Sequence, residues 1–311
     1  MFRYFLYRLF LYVPTLLIML FVVFILVKAL PGDPITVMYG EFDPPPEVRK
    51  ALEERLGLDR PLLVQYMLYV MRILQGDWGK SVGTGEEVLR LVLRRFQATL
   101  ELAVASVAIA TFIGLSLALI SAWRPNSLAD KIIRIASVAS YSIPVFWWGL
   151  MLILIFAVYL QLLPPGERGG LKHLILPAVT LGVVSFGMIA RVSRASMLEV
   201  MTQDYVVAAR ARGLNEVKVL LSYVMRNAIV PIVTIIGLRF GVLMSGAVIT
   251  ETVFKYPGIG SMIYDSILAR DYPVVFGGIL FVAIVVMTVN LLVDILYYFV
   301  DPRVKLEKTR V

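Results

Sequence analysis

Residues 204–231 read DYVVAARARGLNEVKVLLSYVMRNAIVP, a polar-faced segment set between two apolar runs. Tyr205, Ala208, Ala209 and Arg212 fall at helical spacing, and Gly213 follows where a helix ends through a left-handed residue. Asn215 suits an N-cap and Glu216 suits the positive end of a second helix. In that helix Val217, Leu220, Leu221 and Val224 recur at i, i+3, i+4 and i+7. Two short helices joined by a glycine elbow are therefore expected. Periodicity alone fits an anionic lipid surface and a protein docking face equally well.

The runs on either side set the class. Of 311 residues 59% are hydrophobic, and the mean hydropathy is +0.82, far outside the soluble range, so the chain is read as an integral membrane protein. Apolar runs at 9–30, 98–122, 137–160, 174–190, 229–250 and 274–300 predict six spans. The first follows Arg3 and Arg8 and has no small-residue cleavage site before Pro31-Gly32-Asp33-Pro34, so it is expected to remain as a span. With the N-terminus inside, the inner segments hold 15 Lys and Arg against four (Arg168, Lys172, Lys255, Arg270) in the two short outer loops. That bias places both termini in the cytoplasm. The net charge of +8 thus reflects topology, and no nucleic-acid partner is expected. Zero cysteines exclude disulfides and thiolate metal sites, and a single histidine leaves no metal or cofactor site to propose.

The organisation read from these runs is an N-terminal span (1–30), an extracytoplasmic, mostly helical insertion (31–97), a five-span core (98–300) with a cytoplasmic loop at 191–228, and a cytoplasmic tail (301–311). Gly79-Lys80-Ser81 invites a phosphate-loop reading, but that motif needs a glycine five residues before Gly79, and Leu74 stands there. Small residues repeat every four positions at Ala110, Gly114, Ala118 and Ala122, and again at Gly237, Gly241 and Ser245. Such stripes suit close helix packing, within one subunit or between two.

Several motifs together carry a family resemblance. Ala208-Ala209-Arg210-Ala211-Arg212-Gly213-Leu214, followed by Arg226-Asn227-Ala228 and Pro231, resembles the cytoplasmic loop of ABC-importer permeases, most closely the dipeptide/oligopeptide/nickel branch. Val207 stands where the wider family has a glutamate, and the proline lies further from the glycine than the general motif has it. The phrases GLDRPL and GDWGKS, the loop Glu251 to Gly260 and the tail's Asp301-Pro302-Arg303 are similar to the same branch. The resemblance implies an all-α membrane fold of the type I ABC-importer permease architecture with six transmembrane helices. It also implies passage of peptides, or of a related solute such as an oligosaccharide or nickel complex, from an extracytoplasmic binding protein to the cytoplasm. Its partners would be a second homologous permease subunit, two ATPase subunits or domains that bind the ATP, and the substrate-binding protein, all at the plasma (inner) membrane. Asp204, Tyr205, Ala208, Ala209, Arg210, Arg212, Gly213 and Leu214 would form the ATPase-coupling loop.

Inside the spans, Arg239 lies ten residues into the run that starts at Ile229, near the expected midplane. A charge there must face protein or water. It lines the translocation path, or it pairs with an acid such as Glu101 or with a partner subunit. Glu101 and Asp294 lie near span ends and are read as structural. His173 is assigned no role, and Trp147 and Trp148 after Pro144 suggest packing at a kink. The alternative function is a self-contained secondary transporter or channel. A membrane enzyme fits less well, since no metal-ligand cluster and no nucleophile beside a histidine is found.

Overall fold

A computed structural model describes residues 2–29, 45–50, 60–245 and 247–300, with no side-chain placement for 2–9, 27–29, 294 and 296–300. The helical-looking 51–56 and the motifs at 57–59 and 301–303 lie outside the described residues, as does the side chain of Asp294. Every extended element described is helical: α1 (Phe2–Ala29), α2 (Leu62–Leu74), α3 (Val88–Trp123), α4 (Leu128–Ser142), α5 (Val145–Tyr159), α6 (Leu171–Met201), α7 (Asp204–Ala211), α8 (Glu216–Met244), α9 (Val248–Val253), α10 (Ile259–Leu268) and α11 (Tyr272–Val300). In the long helices α3, α6, α8 and α11 apolar residues run through whole stretches rather than one stripe, as suits helices whose solvent is lipid and whose backbones satisfy their own hydrogen bonds.

Among the described residues four helices, α3, α6, α8 and α11, are long and apolar enough to cross a membrane, and α4 with α5 makes a fifth if that pair is one span. The pair bends by 99°. Pro144 disfavours the helical conformation in the residue before it, and Ile143 is extended (φ −84°, ψ 132°). The sequence expects a kink here, and the chain instead breaks. In α1 the apolar stretch with described side chains is Phe10–Leu26.

Span limits differ from the apolar runs for local reasons. α3 starts ten residues before Ala98, because Val88, Leu91 and Val92 give its charged first turns a buried face. α6 continues past Ala190 to Met201 on a second buried stripe, Ser193, Ser196 and Met197. α8 stops at Met244, short of Thr250, and a separate helix, α9, follows.

The packing falls into two units, residues 1–97 with 259–285 and residues 98–258 with 286–311. In the first, the GDWGKS phrase is a structural loop. Trp78 packs edge-on against Phe281 at 6.5 Å, and Ser81 Oγ donates to Asp271 Oδ2 at 2.5 Å. In the second, α6 is the central helix, with α4, α5 and α8 against it. Both small-residue stripes pack within the subunit. A Cβ at Gly114 would stand 3.0 Å from Ile189 of α6, one at Gly237 would strike Val293, and one at Gly241 would lie 3.5 Å from Val289.

Candidate coupling site

The stretch 204–231 folds as two helical pieces around an elbow. Gln203 is extended and α7 begins at Asp204, whose carboxylate suits the positive helix end. Arg212 leaves the helix and Gly213 has φ +77°. Asn215 caps the next piece, its Oδ1 accepting from Val217 N at 2.9 Å. Arg210 bridges the elbow with a two-pronged ion pair to Glu216, 2.9 Å from Nε to Oε1 and 3.3 Å from Nη2 to Oε2. Since both side chains are partly exposed, the pair orients the two pieces more than it stabilises them.

The buried face differs from the expected one. Val206 and Ala209 of α7, with Val219, Leu220 and Val224 of α8, pack against Ala118 and Ala122 of α3 and Met197 of α6. Val217 and Leu221 are exposed instead. The reason is a π-helical turn over Val219–Val224, whose wider winding brings residues five apart onto one face and so substitutes Val219 for the predicted Val217 and Leu221. From Val224 the stripe resumes at four-residue spacing through Ala228 and Ile232.

Of the residues singled out, the structure buries Ala209 and half-buries Arg210 and Leu214. It leaves Asp204, Tyr205, Ala208, Arg212 and Gly213 exposed. Tyr205, Ala208 and Arg212 at i, i+3 and i+7 therefore form one accessible edge, anchored from behind by Val206 and Ala209.

A buried ionic network beside this base was not anticipated. Asp130 is fully buried; Arg194 Nε and Nη2 donate to its two oxygens at 2.7 and 2.8 Å, Asn126 N donates at 2.9 Å, and Ser121 Oγ also bonds it. Arg194, counted by sequence among the loop cations, belongs to α6. Asp130 sits three residues after the N-cap Ser127, whose Oγ accepts from Asp130 N at 3.2 Å. That S-x-x-D spacing is a capping signature and was the available signal, though it does not name the arginine. The network ties α3, α4 and α6 one residue from Ala122, under α7 and the start of α8. Close approach does the same further along: a Cβ at Gly187 would strike Ser137 O and Ser140 Oγ.

Arg239 is half-buried and has no hydrogen bond or ion pair among the described residues. It lies five residues before the end of α8, nearer a helix end than the sequence expects. Gly237 and Gly241 face α11, so Arg239, two residues from each, projects to the other side. Glu101 is not its partner. Arg168 takes Glu101, with Nη2 to Oε1 at 2.5 Å and Nε to Oε2 at 3.2 Å, and the Tyr256 hydroxyl donates to Oε2 at 3.4 Å. Glu101's carboxylate raises the Arg168 pKa further, and burial pushes the Tyr256 phenol up to about 12, which keeps it a neutral donor. Glu251, read as part of a loop, lies in α9, is fully buried, and accepts from Thr99 Oγ1 at 2.9 Å. Gly258 leaves room for that carboxylate: a Cβ there would strike it. His173 Nδ1 lies 2.6 Å from Gly166 O, and Trp147 meets Trp148 edge-on at 5.5 Å.

Comparison with known proteins agrees with this architecture. Residues 110–306 match the binding-protein-dependent transport system inner membrane component, and residues 1–103 match the N-terminal part described for such membrane components. The chain is 41% identical to the di/tripeptide transport system permease protein of Pseudomonas aeruginosa, over 96% of this chain and 97% of that one. It is 38% identical to the dipeptide permease of Escherichia coli K12 (99% and 100% covered) and 39% identical to the glutathione permease of Pectobacterium atrosepticum (98% and 99%). Among solved structures, the inward-facing MetNI methionine ABC transporter aligns with a TM-score of 0.54 at 18% identity, covering 68% of this chain and 97% of that one. An amino acid ABC transporter with histidines aligns at 0.51, likewise at 18% identity, covering 68% and 94%. Full-length similarity of this kind, on an all-helical fold shared with ABC-transporter membrane chains, displaces the self-contained transporter reading. The chain belongs to the binding-protein-dependent transport system inner membrane component family, as a permease of the dipeptide branch.

Proposed function

We propose that this chain is the peptide-conducting permease subunit of an ATP-driven importer, taking short peptides from an extracytoplasmic binding protein. The observation that carries the reading is end-to-end similarity to di/tripeptide, dipeptide and glutathione permeases, whose named substrates are all short peptides. ATP is bound by separate ATPase subunits, two of which serve a pair formed by this chain and a second homologous permease. The α7 elbow, with Tyr205, Ala208 and Arg212 accessible and Arg210 braced by Glu216, is the surface on which one ATPase docks. Uptake of radiolabelled dipeptide, tripeptide and glutathione into proteoliposomes holding the full complex tests the substrate class. Competition by none of them, with uptake of an oligosaccharide or nickel complex, would transfer the chain to another branch.

Six spans, with α1 as the first and α4 with α5 as one broken span, put both termini and α7 in the cytoplasm, as the 15 to four bias of Lys and Arg favours. Because the chain has no cysteine, single ones report cleanly. Asn215→Cys in intact cells is expected to resist an impermeant maleimide that labels Gly85→Cys. Equal labelling at both positions would invert the topology.

Arg239 is proposed to line the path and meet a peptide carboxylate. Its half-buried position without an ion pair among the described residues supports this, as does its direction away from α11. Arg239→Gln leaves a shorter polar side chain that can still hydrogen-bond but removes the charge. We expect a complex that assembles normally and a fall in uptake of about tenfold, the loss of roughly 1.4 kcal/mol of charge-assisted binding. Wild-type uptake across substrate concentrations would remove Arg239 from the path.

A further inference from the structure

The segment between α1 and α3 contains a helix that does not behave as an aqueous cap. Apart from the hydroxyls of Tyr66 and Tyr69, the polar side chains among the thirteen residues of α2 are Gln65 and Arg72. One side of α2 packs on α1: the Tyr66 ring meets Phe21 edge-on at 5.1 Å and Phe24 at 5.8 Å, and its hydroxyl donates to Leu17 O at 2.7 Å. Tyr69 reaches Phe276 of α11 at 5.2 Å and Phe24 at 6.3 Å. The opposite side is open, with Leu63 59%, Met67 58%, Met71 57% and Leu74 81% exposed, at i, i+4, i+8 and i+11.

Depth identifies what covers that side. Phe24 lies five residues inside the end of α1 and Phe276 four residues inside the start of α11, each about 6–8 Å below its helix end at 1.5 Å per residue. The contact at Leu17 is deeper still, at about 18 Å. Within hydrocarbon the Tyr66 hydroxyl needs a protein acceptor, and the second lone pair of a helix carbonyl supplies it. Next to the α1 stripe that receives α2 (Leu17, Phe21, Phe24) runs another, Ile18, Val22 and Ile25, whose side chains are exposed. The two open faces are neighbours at one depth.

We propose that α2 is seated in the bilayer as a non-spanning helix, with Leu63, Met67, Met71 and Leu74 against lipid acyl chains, and that it fixes the first span to α11. At about 20 Å it is too short to cross. Arg72 and the Gln75-Gly76-Asp77 turn mark where the chain regains water. Contacts running from about 6 Å to about 18 Å below the helix ends place α2 beneath the headgroups, among the acyl chains.

Power-saturation EPR on the full complex in liposomes tests this, using nitroxides at Leu63→Cys, Met67→Cys and Met71→Cys with oxygen and a water-soluble nickel chelate as relaxants. Ile18→Cys serves as the lipid reference and Gly85→Cys as the aqueous one. The expected result is high oxygen and low nickel accessibility at all three sites, with immersion matching that of Val22→Cys. High nickel accessibility would make α2 an aqueous face, open to a binding protein. Low accessibility to both relaxants would mean that another subunit covers it. Either outcome overturns the lipid assignment, whereas failure of the Ile18 reference would instead discredit the span assignment of α1.

Discussion

Asp130→Ala lowers the thermal midpoint of the detergent-solubilised chain by on the order of 10 °C, the largest stability loss expected of any single polar substitution here. The Arg194 guanidinium gives two of its bonds to this carboxylate in a site where the Asp130 side chain is wholly shielded from solvent. Removing one partner of such a pair strands the other charge at low dielectric, at a cost of about 3–5 kcal/mol. The nearby Arg134, 3.8 Å from Asp130 Oδ2, loses its anion as well. Removing both charges is a different experiment. Asp130→Leu with Arg194→Met should recover most of the loss, because a buried ion pair contributes little beyond an apolar pair of similar volume. If Asp130→Ala melts with the wild type, α3, α4 and α6 are held by packing alone and the network is incidental. Because an apolar pair keeps the packing beneath α7 and α8, the double variant is also expected to keep uptake.

Gly213→Val is expected to abolish most uptake while leaving insertion and assembly intact. A Cβ at Gly213 meets nothing within 4 Å, so the substitution is not a clash. Its cost is the left-handed backbone at φ +77°, which a side chain disfavours by roughly 1–2 kcal/mol and a β-branched one by more. That strain is relieved by re-angling α7, and the bonds across the elbow are what yield: Arg210 to Glu216, and Gly213 N to Arg210 O at 2.9 Å. If each docking event must restore the angle, 1–2 kcal/mol corresponds to a fall of about 5–30-fold in coupled uptake. Gly213→Asn is the control, since asparagine tolerates this conformation, and near-normal uptake is expected from it. Substrate-stimulated ATP hydrolysis and uptake in proteoliposomes, with assembly checked by copurification, measure the effect. Equal activity in the valine and asparagine variants would falsify the view that a fixed elbow transmits the motion of the ATPase.

The membrane class and the elbow are legible in the order of the amino acids. Apolar runs longer than a bilayer core can be read directly because lipid selects composition over long windows. Gly213 and Asn215 were legible because left-handed and capping positions impose strict local chemistry that needs no tertiary partner. Contacts between residues far apart in the chain are not legible in this way. The π-turn that substituted Val219 for Val217 and Leu221 answers to Ala118 and Met197, so helical periodicity within the segment misplaced the face. The Glu101 partner proved to be Arg168 rather than Arg239, because the chain ahead of α6 brings Arg168 to it across 67 residues. Asp130 carried only a capping spacing in sequence, while its ion pair with Arg194 spans 64 residues. Helix limits failed for the same reason. α3 and α6 extend beyond their apolar runs wherever another helix supplies a buried face, and packing of that kind has no counterpart in the hydropathy of the run itself.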